Sequence, residues 1–272
     1  MNKGTLLIIC ILTINFCKGQ PIPVTAFKIA TPPKVNSKEW YKLCSSADNL
    51  FSVSIKGGDL TIERGIQKPQ REFAFSNGKL IAVNNGEFGG GLYFKPNASF
   101  KKDFLINGKE KLLADTTVDT RRKQMFSIDK KADSVTGSVL LVEFGRIRAI
   151  LPFKDHWLYT EGMAHMGANY GTLHKLHVDG NNFNTQKLFD LNGCPSAMAI
   201  HNGIIYIATF QGFYRIRNNK AELILDELFW QGLGVTSIAV KNDKEVYVGI
   251  SGGYVQIDPD KRKAEFHKYD KL

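Results

Sequence analysis

The chain is poor in cysteine, with 4 among 272 residues, and it contains no Cys-x-x-Cys pair. Thiolate zinc sites and dithiol redox centres depend on closely spaced cysteines, so the sequence supports neither. No stretch shows a sustained 3.6-residue apolar period, which excludes a fold built on long amphipathic helices. Beyond the N-terminus, no apolar run approaches the ~20 residues that a transmembrane helix needs.

The N-terminal residues have the pattern of a secretory signal peptide. Lys3 precedes a short apolar run, and Cys17 and Gly19 are the small residues expected before a cleavage site. The run is too short for a membrane anchor, and Phe16 stands where a lipoprotein signal at Cys17 requires a small residue. We therefore expect cleavage after residue 19 and a soluble mature protein that is periplasmic or secreted.

Cleavage would leave two cysteines, Cys44 and Cys194. In an oxidising compartment they can form a disulfide that ties the first part of the chain to its middle. The alternative is two buried free thiols, because pairing geometry cannot be read from sequence spacing. Both alternatives remain open at this point.

The chain is basic, with a formal net charge of +10 at pH 7. Such an excess attracts acidic partners. The basic residues are dispersed over predicted turns and strand ends, however, and export disfavours a nucleic-acid partner. We expect a monomer, without a transmembrane segment, that binds a protein or a small molecule.

An internal repeat runs through the chain and is clearest at residues 196–217 and 236–258. Each copy has an apolar strand, an Asn-containing turn, a second apolar strand, a glycine break and a third strand. Such a unit cannot bury its faces alone, and a spacing of about 40 to 50 residues is typical of four-stranded propeller blades. We predict an all-β protein: a five- or six-bladed β-propeller, six favoured, over residues 39–272, after a Pro-rich segment at 20–38.

The repeat also predicts where particular side chains lie. Ala74, Ala199 and Ala239 each stand three positions before the turn asparagine, so they belong to first strands, which line the crowded central axis. Trp157, Tyr206 and Tyr247 lie on second strands, where aromatic side chains pack between neighbouring blades.

The phrases Gly193–Tyr206 and Gly234–Tyr247 resemble repeats of NHL-type and gluconolactonase-like six-bladed propellers. The segments Gly212–Ile216 and Gly253–Asp258 are similar to the short repeats of bacterial two-component-regulator propellers. The resemblance covers residues 70–95 and 145–260. Gluconolactonase-like propellers hold a divalent cation beside a general acid/base carboxylate. The resemblance therefore implies an alternative function, a divalent-metal-dependent lactonase or hydrolase.

The leading hypothesis is a non-catalytic protein that binds its partner through the loop-rich face of the propeller. The predicted loop at 161–170 is about eight residues longer than its equivalents, and such insertions often mark the binding face; the alternative is a loop that plugs the channel. The Phe229-Trp230 pair looks exposed and suits an interface anchor. The candidate binding residues are Glu87, Glu161, His165, Asn169, Tyr170, Gln211, Trp230 and Gln231.

No cofactor is expected under the leading hypothesis. Under the lactonase alternative, a divalent cation would need oxygen ligands, for which Glu87, Glu161 and Asn169 are weak candidates. The ligand motifs of the lactonase family do not match this sequence residue by residue.

Overall fold

The structure is a computed structural model that describes residues 21–65, 72–84, 90–97, 104–111, 138–143, 146–165 and 167–271. These residues are mostly β-strand, with one α-helix, α1 (Lys38–Cys44), and 3-10 turns at Val24–Ala26 and Ala47–Asn49. The predicted all-β class is confirmed. The predicted signal peptide, residues 1–19, lies outside the described residues. No described helix combines the length and hydrophobicity needed to cross a bilayer.

The strands are short in the first third of the chain and longest in its middle. The first nine are β1 (Phe27–Ala30), β2 (Phe51–Lys56), β3 (Asp59–Arg64), β4 (Glu72–Phe75), β5 (Gly78–Asn84), β6 (Gly90–Pro96), β7 (Phe104–Ile106), β8 (Lys109–Lys111) and β9 (Val139–Glu143). They are followed by β10 (Ile147–Phe153), β11 (His156–His165), β12 (Ala168–Asp179), β13 (Asn182–Leu191), β14 (Pro195–His201), β15 (Ile204–Thr209) and β16 (Phe213–Arg217). The last five are β17 (Lys220–Leu225), β18 (Ser237–Asn242), β19 (Glu245–Ile250), β20 (Gly253–Asp258) and β21 (Lys263–Tyr269).

The described strands form five open sheets. Their strand orders are β2-β3, β4-β5-β6-β9, β10-β11-β12-β13-β7-β8, β14-β15-β16-β17 and β18-β19-β20-β21-β1. Among these strands, only β7 and β13 pair in parallel. Most neighbours along the chain are therefore joined as antiparallel hairpins, as the alternating apolar pattern predicts.

The clearest predicted turn has the expected backbone conformation. Asn202 and Gly203 join β14 to β15 with φ angles of 48° and 76°. A two-residue type I′ turn needs positive φ at both positions, which asparagine and glycine tolerate best. This local chemistry sets the register from Ala197 opposite Ala208 to His201 opposite Ile204, beyond which the pairing shifts between Ala197 and Pro195.

First strands of different sheets lie against one another. β2 packs on β18, β18 on β14, and β14 on β10. At the first of these contacts, Val53 N donates to Ser237 Oγ (2.8 Å), and Thr236 Oγ1 donates to Phe51 O (2.5 Å). The contacts therefore join strands that are remote from one another in sequence.

The predicted strand assignments are confirmed: Ala74, Ala199 and Ala239 lie on the first strands β4, β14 and β18, and Trp157 lies on the second strand β11. Ala74 is exposed, however, so the expectation of a crowded environment fails at that position. Tyr206 and Tyr247, on the second strands, are buried in two different core clusters.

The N-terminal Pro-rich segment includes an edge strand. Phe27 lies opposite Tyr269 and Ala30 opposite Phe266, so β1 extends the sheet that contains the last strand of the chain. Upstream, Ile22 N donates to Ile62 O (2.8 Å) in β3. Residues 22–30 therefore connect two sheets, one from the beginning of the chain and one from its end.

Candidate functional site

The segment at 161–170 was predicted as a long loop, and that prediction is wrong. β11 and β12 continue through it as a regular hairpin, with Glu161 opposite Thr172, Met163 opposite Tyr170, and His165 opposite Ala168. By contrast, the equivalent connection between β15 and β16 is a short turn at 210–212. The insertion thus lengthens two paired strands, which hold their side chains at fixed positions.

One face of this hairpin packs against the link that precedes β14. Gly162 and Gly171 lie directly opposite each other, and a Cβ on Gly171 would stand 2.5 Å from Gly193 O and from Pro195 Cδ. Two facing glycines make the space into which Pro195 fits. The absence of side chains also weakens the apolar alternation, which explains why the sequence pattern resembled a loop.

Asn169 connects the hairpin to two neighbouring links. Its Oδ1 accepts from Cys194 N (2.8 Å), and its Nδ2 donates to Gln211 Oε1 (2.9 Å). Gln211 Nε2 donates to Asn192 Oδ1 (2.9 Å), and Asn192 Nδ2 donates to Asp226 Oδ1 (3.0 Å). We call these four side chains, Asn169, Gln211, Asn192 and Asp226, the polar cluster.

The backbone N–H and C=O groups of Asn192 are hydrogen-bonded as well. Asn192 N donates to Tyr214 Oη (2.6 Å), and Thr209 Oγ1 donates to Asn192 O (2.8 Å). The amide group of Asn192 is nevertheless exposed, as is the carboxylate of Asp226. The polar cluster therefore presents fixed donors and acceptors at the end of the sheets where β14 and β18 begin. We call this end the link face; it comprises residues 162–165, 167–171, 191–195, 209–212 and 226–236.

The opposite face of the hairpin carries a different group of side chains. His174 stacks on Tyr159 with ring centroids 4.8 Å apart, and its Nε2 lies 2.8 Å from Thr172 Oγ1. Burial and the nearby Lys187 lower the pKa of His174 to about 4, so the imidazole is neutral at pH 7. Burial also raises the pKa of Glu161, and burial together with Glu161 raises that of Tyr159.

Two arginines flank the base of the hairpin. Arg148 Nε donates to Gly162 O (3.3 Å), and Arg146 contacts the sulfur of Met163. Arg148 also lies close enough to Cys194 to lower the pKa of its thiol, although burial has the larger, opposite effect and the net shift is upward. The buried thiol of Cys194 therefore remains protonated at neutral pH.

Both cysteines that follow the predicted cleavage site are free thiols in the structure. Cys44 lies in α1, with its sulfur 3.5 Å from Gly232 O, whereas Cys194 is buried at the beginning of β14. The sequence left open whether these cysteines form a disulfide or stay free. In the structure both stay free; Cys194 is buried and Cys44 is half-buried.

Trp230 was predicted to be an exposed interface anchor, and that prediction is wrong. Its side chain is only 1% exposed, and its indole Nε1 donates to Thr209 O (3.1 Å). Phe229 is half-buried against the same core cluster. Gln231 is exposed, and its carbonyl accepts from the indole of Trp40 in α1 (3.1 Å).

The remaining candidates divide between the two faces of the hairpin. Tyr170 is 51% exposed and His165 is exposed near the tip. Glu161 and Asn169 lie on opposite faces, because Glu161 is opposite Thr172 while Asn169 is opposite Ala164, and side chains alternate along a strand. Glu87 lies outside the described residues.

Because Glu161 and Asn169 lie on opposite faces of the hairpin, they are poorly placed to bind one divalent cation, as the lactonase alternative requires. A divalent cation is held by several oxygen ligands that converge within about 2.6 Å of one point. Two of the three proposed ligands do not converge. The described residues also contain no cluster of three or more His, Cys, Asp or Glu side chains with a suitable arrangement.

Sequence reasoning did not select Asn192 or Asp226 as site residues. Both follow strands and precede glycine or charged residues, so in sequence they resemble ordinary turn residues. Their pairing depends on links that are 34 residues apart.

Replacing Asn169 by alanine is expected to lower the free energy of unfolding by about 1–3 kcal/mol, because the buried Cys194 N–H loses its acceptor. Asn169→Asp retains an acceptor oxygen for that N–H and should cost less. Urea unfolding of both variants measures the difference. If both variants lose the same free energy of unfolding, the hydrogen bond from Cys194 N to Asn169 does not contribute to stability.

No protein-family model matches the chain, and no curated protein has a significantly similar sequence. The resemblance to NHL-type and gluconolactonase-like propellers therefore rests on the repeat phrases alone.

Proposed function

We propose that the protein is an exported β-propeller of five or six blades that binds a protein or small ligand through its link face. The proposed binding is non-catalytic. The observation that carries it is the polar cluster, in which Asn169, Gln211, Asn192 and Asp226 are fixed by one another and by the backbone. Fixed polar groups are characteristic of a preorganised binding surface, since little side-chain freedom is lost on association.

The propeller arrangement is supported by the order of the first strands. β2, β18, β14 and β10 pack successively along a common axis, and β10 in turn packs on β5. The pairing of β1 with β21 gives further support, because it joins the beginning of the chain to its last strand. Export is supported by the sequence pattern of residues 1–19.

Binding at the link face is supported by the hairpin that projects from it. Strands β11 and β12 have 10 and 12 residues, compared with 6 and 5 in β15 and β16. Tyr170 lies on this hairpin, on the face opposite Asn169, and its side chain is 51% exposed. Exposed tyrosines make good interface anchors, because they offer a large contact area with few rotatable bonds.

Site-specific photocrosslinking tests this proposal. A benzophenone amino acid at position 170 should capture a partner in the exported fraction, whereas the same group at Ile29 should not. Ile29 is a suitable control because it is 68% exposed but lies on the outer edge strand β1. Tyr170→Ala should then reduce capture through a second probe at His165. Equal capture from positions 170 and 29 would contradict the link-face assignment.

The lactonase alternative stays a prediction without support from a specific observation. Its test is elemental analysis of the purified protein, followed by lactone hydrolysis assays with added calcium, manganese or zinc. Turnover that depends on one of these metals, and that Glu161→Gln abolishes, would favour it over the binding function.

A further inference from the structure

His267 lies in the sheet that joins the beginning of the described chain to its end. It belongs to β21, where it is opposite Tyr254 of β20 on one side and Ile29 of β1 on the other. Its imidazole stacks on the ring of Tyr254, with centroids 4.5 Å apart and the ring planes inclined by 9°. Tyr254 is buried, so the imidazole lies against a fixed aromatic surface.

The imidazole of His267 is placed to be neutral. Its Nε2 is shielded from solvent and has no hydrogen-bond partner among the described residues. A neutral ring can leave this nitrogen without a proton, whereas an imidazolium carries an N–H on both nitrogens. A charged N–H buried without an acceptor costs more free energy than an unpaired neutral nitrogen. The ring of Tyr254 attracts a cation over its face, but it supplies no acceptor for Nε2.

The charges around His267 do not offset this cost. The titratable side chains on its side of the sheet, and on β3 packed there, are Tyr247, hydrogen-bonded to Glu245, then Tyr254, Lys263, Glu265, Tyr269 and Arg64. Glu265 attracts a positive imidazole, but it is paired with Lys263 Nζ (2.7 Å). Burial outweighs the effect of Glu265 and lowers the pKa of His267. Burial also raises the pKa of Tyr254 to about 12, so its hydroxyl stays neutral.

The side chains that β1 and β2 contribute on this side are apolar. Phe27 and Phe51 belong to the same core cluster as Tyr254, and Ile29 lies directly opposite His267. Lys28 and Lys268 lie on the other side of the sheet, because side chains alternate along a strand. A proton on His267 therefore meets no acceptor from the N-terminal strand.

Tyr254 connects His267 to the side chain that anchors β1. The ring centroids of Tyr254 and Phe27 are 5.3 Å apart. β1 has four residues and only one neighbouring strand, so it is expected to open more readily than the interior strands. Asp270 N donates to Ala26 O (3.0 Å), and the antiparallel alternation then directs the N–H groups of Lys28 and Ala30 at β21. These two amides report whether β1 is paired.

We propose that His267 is a pH-sensitive switch: when its imidazole takes up a proton in mildly acidic solution, the ring leaves Tyr254 and β1 separates from β21. Residues 22–30 would then no longer connect the first sheet to the last. The switch does not depend on the partner proposed for the link face, so either proposal can fail without the other.

The direction of the pH effect follows from the two states of β1. While β1 is paired, burial holds the pKa of His267 below the ordinary value of about 6.5, which the residue regains when the strand opens. Above pH 6.5 neither state is protonated, and β1 stays paired. As the pH falls from 6.5 towards the lowered pKa, the open state binds the proton preferentially and the opening equilibrium rises. At pH 5 an ordinary pKa of 6.5 limits this increase to about thirtyfold.

Amide hydrogen exchange at pH 7 and pH 5, on the chain that begins after residue 19, tests the proposal. We expect the protection factors of Lys28 and Ala30 to fall severalfold at pH 5, while that of Ile207 in the interior strand β15 changes less. His267→Phe keeps an aromatic ring for Tyr254 but cannot be protonated, so it should remove the fall. His267→Gln should remove it as well.

His174→Gln is the matched control, because His174 stacks on Tyr159 in the same way but lies in another sheet. This variant should keep the fall at Lys28 and Ala30. NMR titration of the imidazole of His267 in the unaltered protein gives a second measurement that does not depend on a variant that folds. The proposal is overturned by protection factors that do not change, by a fall that persists in both His267 variants, by an equal fall at Ile207, or by a pKa of 6.5 or higher for His267.

Discussion

Trp230→Ala is expected to lower the free energy of unfolding by about 3–5 kcal/mol, the usual cost of truncating a buried aromatic side chain. The indole is 1% exposed and belongs to the core cluster that also contains Leu43, Leu228 and Leu233. Its truncation leaves a large cavity and removes the donor to Thr209 O. Urea unfolding with an unchanged m-value measures the loss directly.

Two variants at the same place provide controls for this result. Trp230→Phe retains most of the apolar ring but not the indole N–H, so its loss should be smaller. Gln231→Ala alters the adjacent exposed side chain and should change stability by no more than about 0.5 kcal/mol. A loss below about 1 kcal/mol for Trp230→Ala would contradict the burial of this side chain and would favour the exposed position that the sequence alone predicted.

Phe27→Ala is expected to have a comparable effect, about 3–5 kcal/mol, although the residue lies close to the beginning of the described chain. Phe27 is 7% exposed, and its ring centroid lies 5.3–5.4 Å from those of Phe51, Tyr254 and Tyr269. These partners come from three strands of two sheets. Truncating the ring would therefore weaken the contact between the first and last strands of the chain.

Ile29→Ala is the matched control, because Ile29 lies in the same strand but is 68% exposed. This substitution should change the free energy of unfolding by no more than about 0.5 kcal/mol. Both variants are compared by urea unfolding of the chain that begins after residue 19. Similar small losses for the two would show that β1 contributes little to stability and that the N-terminal segment acts as a linker.

The described fold follows closely from local sequence signals. The alternating apolar residues of β15 and β19 and the Asn202-Gly203 turn predict strands and hairpins, which the structure contains. The hairpin of β11 and β12 was missed for a local reason as well. Gly162 and Gly171 replace the side chains that would have completed the alternation, because Pro195 of another sheet occupies their space.

The candidate site was less accessible to prediction. Asn169, Tyr170 and Gln211 were assigned to one face from the repeat alone, and Asn169 and Gln211 do form a hydrogen bond. Their partner Asp226 was not foreseen, because a hydrogen bond between two links depends on how the sheets pack. The burial of Trp230 likewise depends on α1 and on Thr209, which are remote from it in sequence.

The sequence by itself determined the all-β class, the hairpin turns and the positions of Ala199, Ala239, Tyr206 and Tyr247, because these depend on period-2 alternation and on residues that accept positive φ. Tertiary structure alone decided that Trp230 is core, that Glu161 and Asn169 face opposite sides, and that the first strands β2, β14 and β18 pack against one another. Burial and convergence depend on segments far apart along the chain, and no local pattern records them.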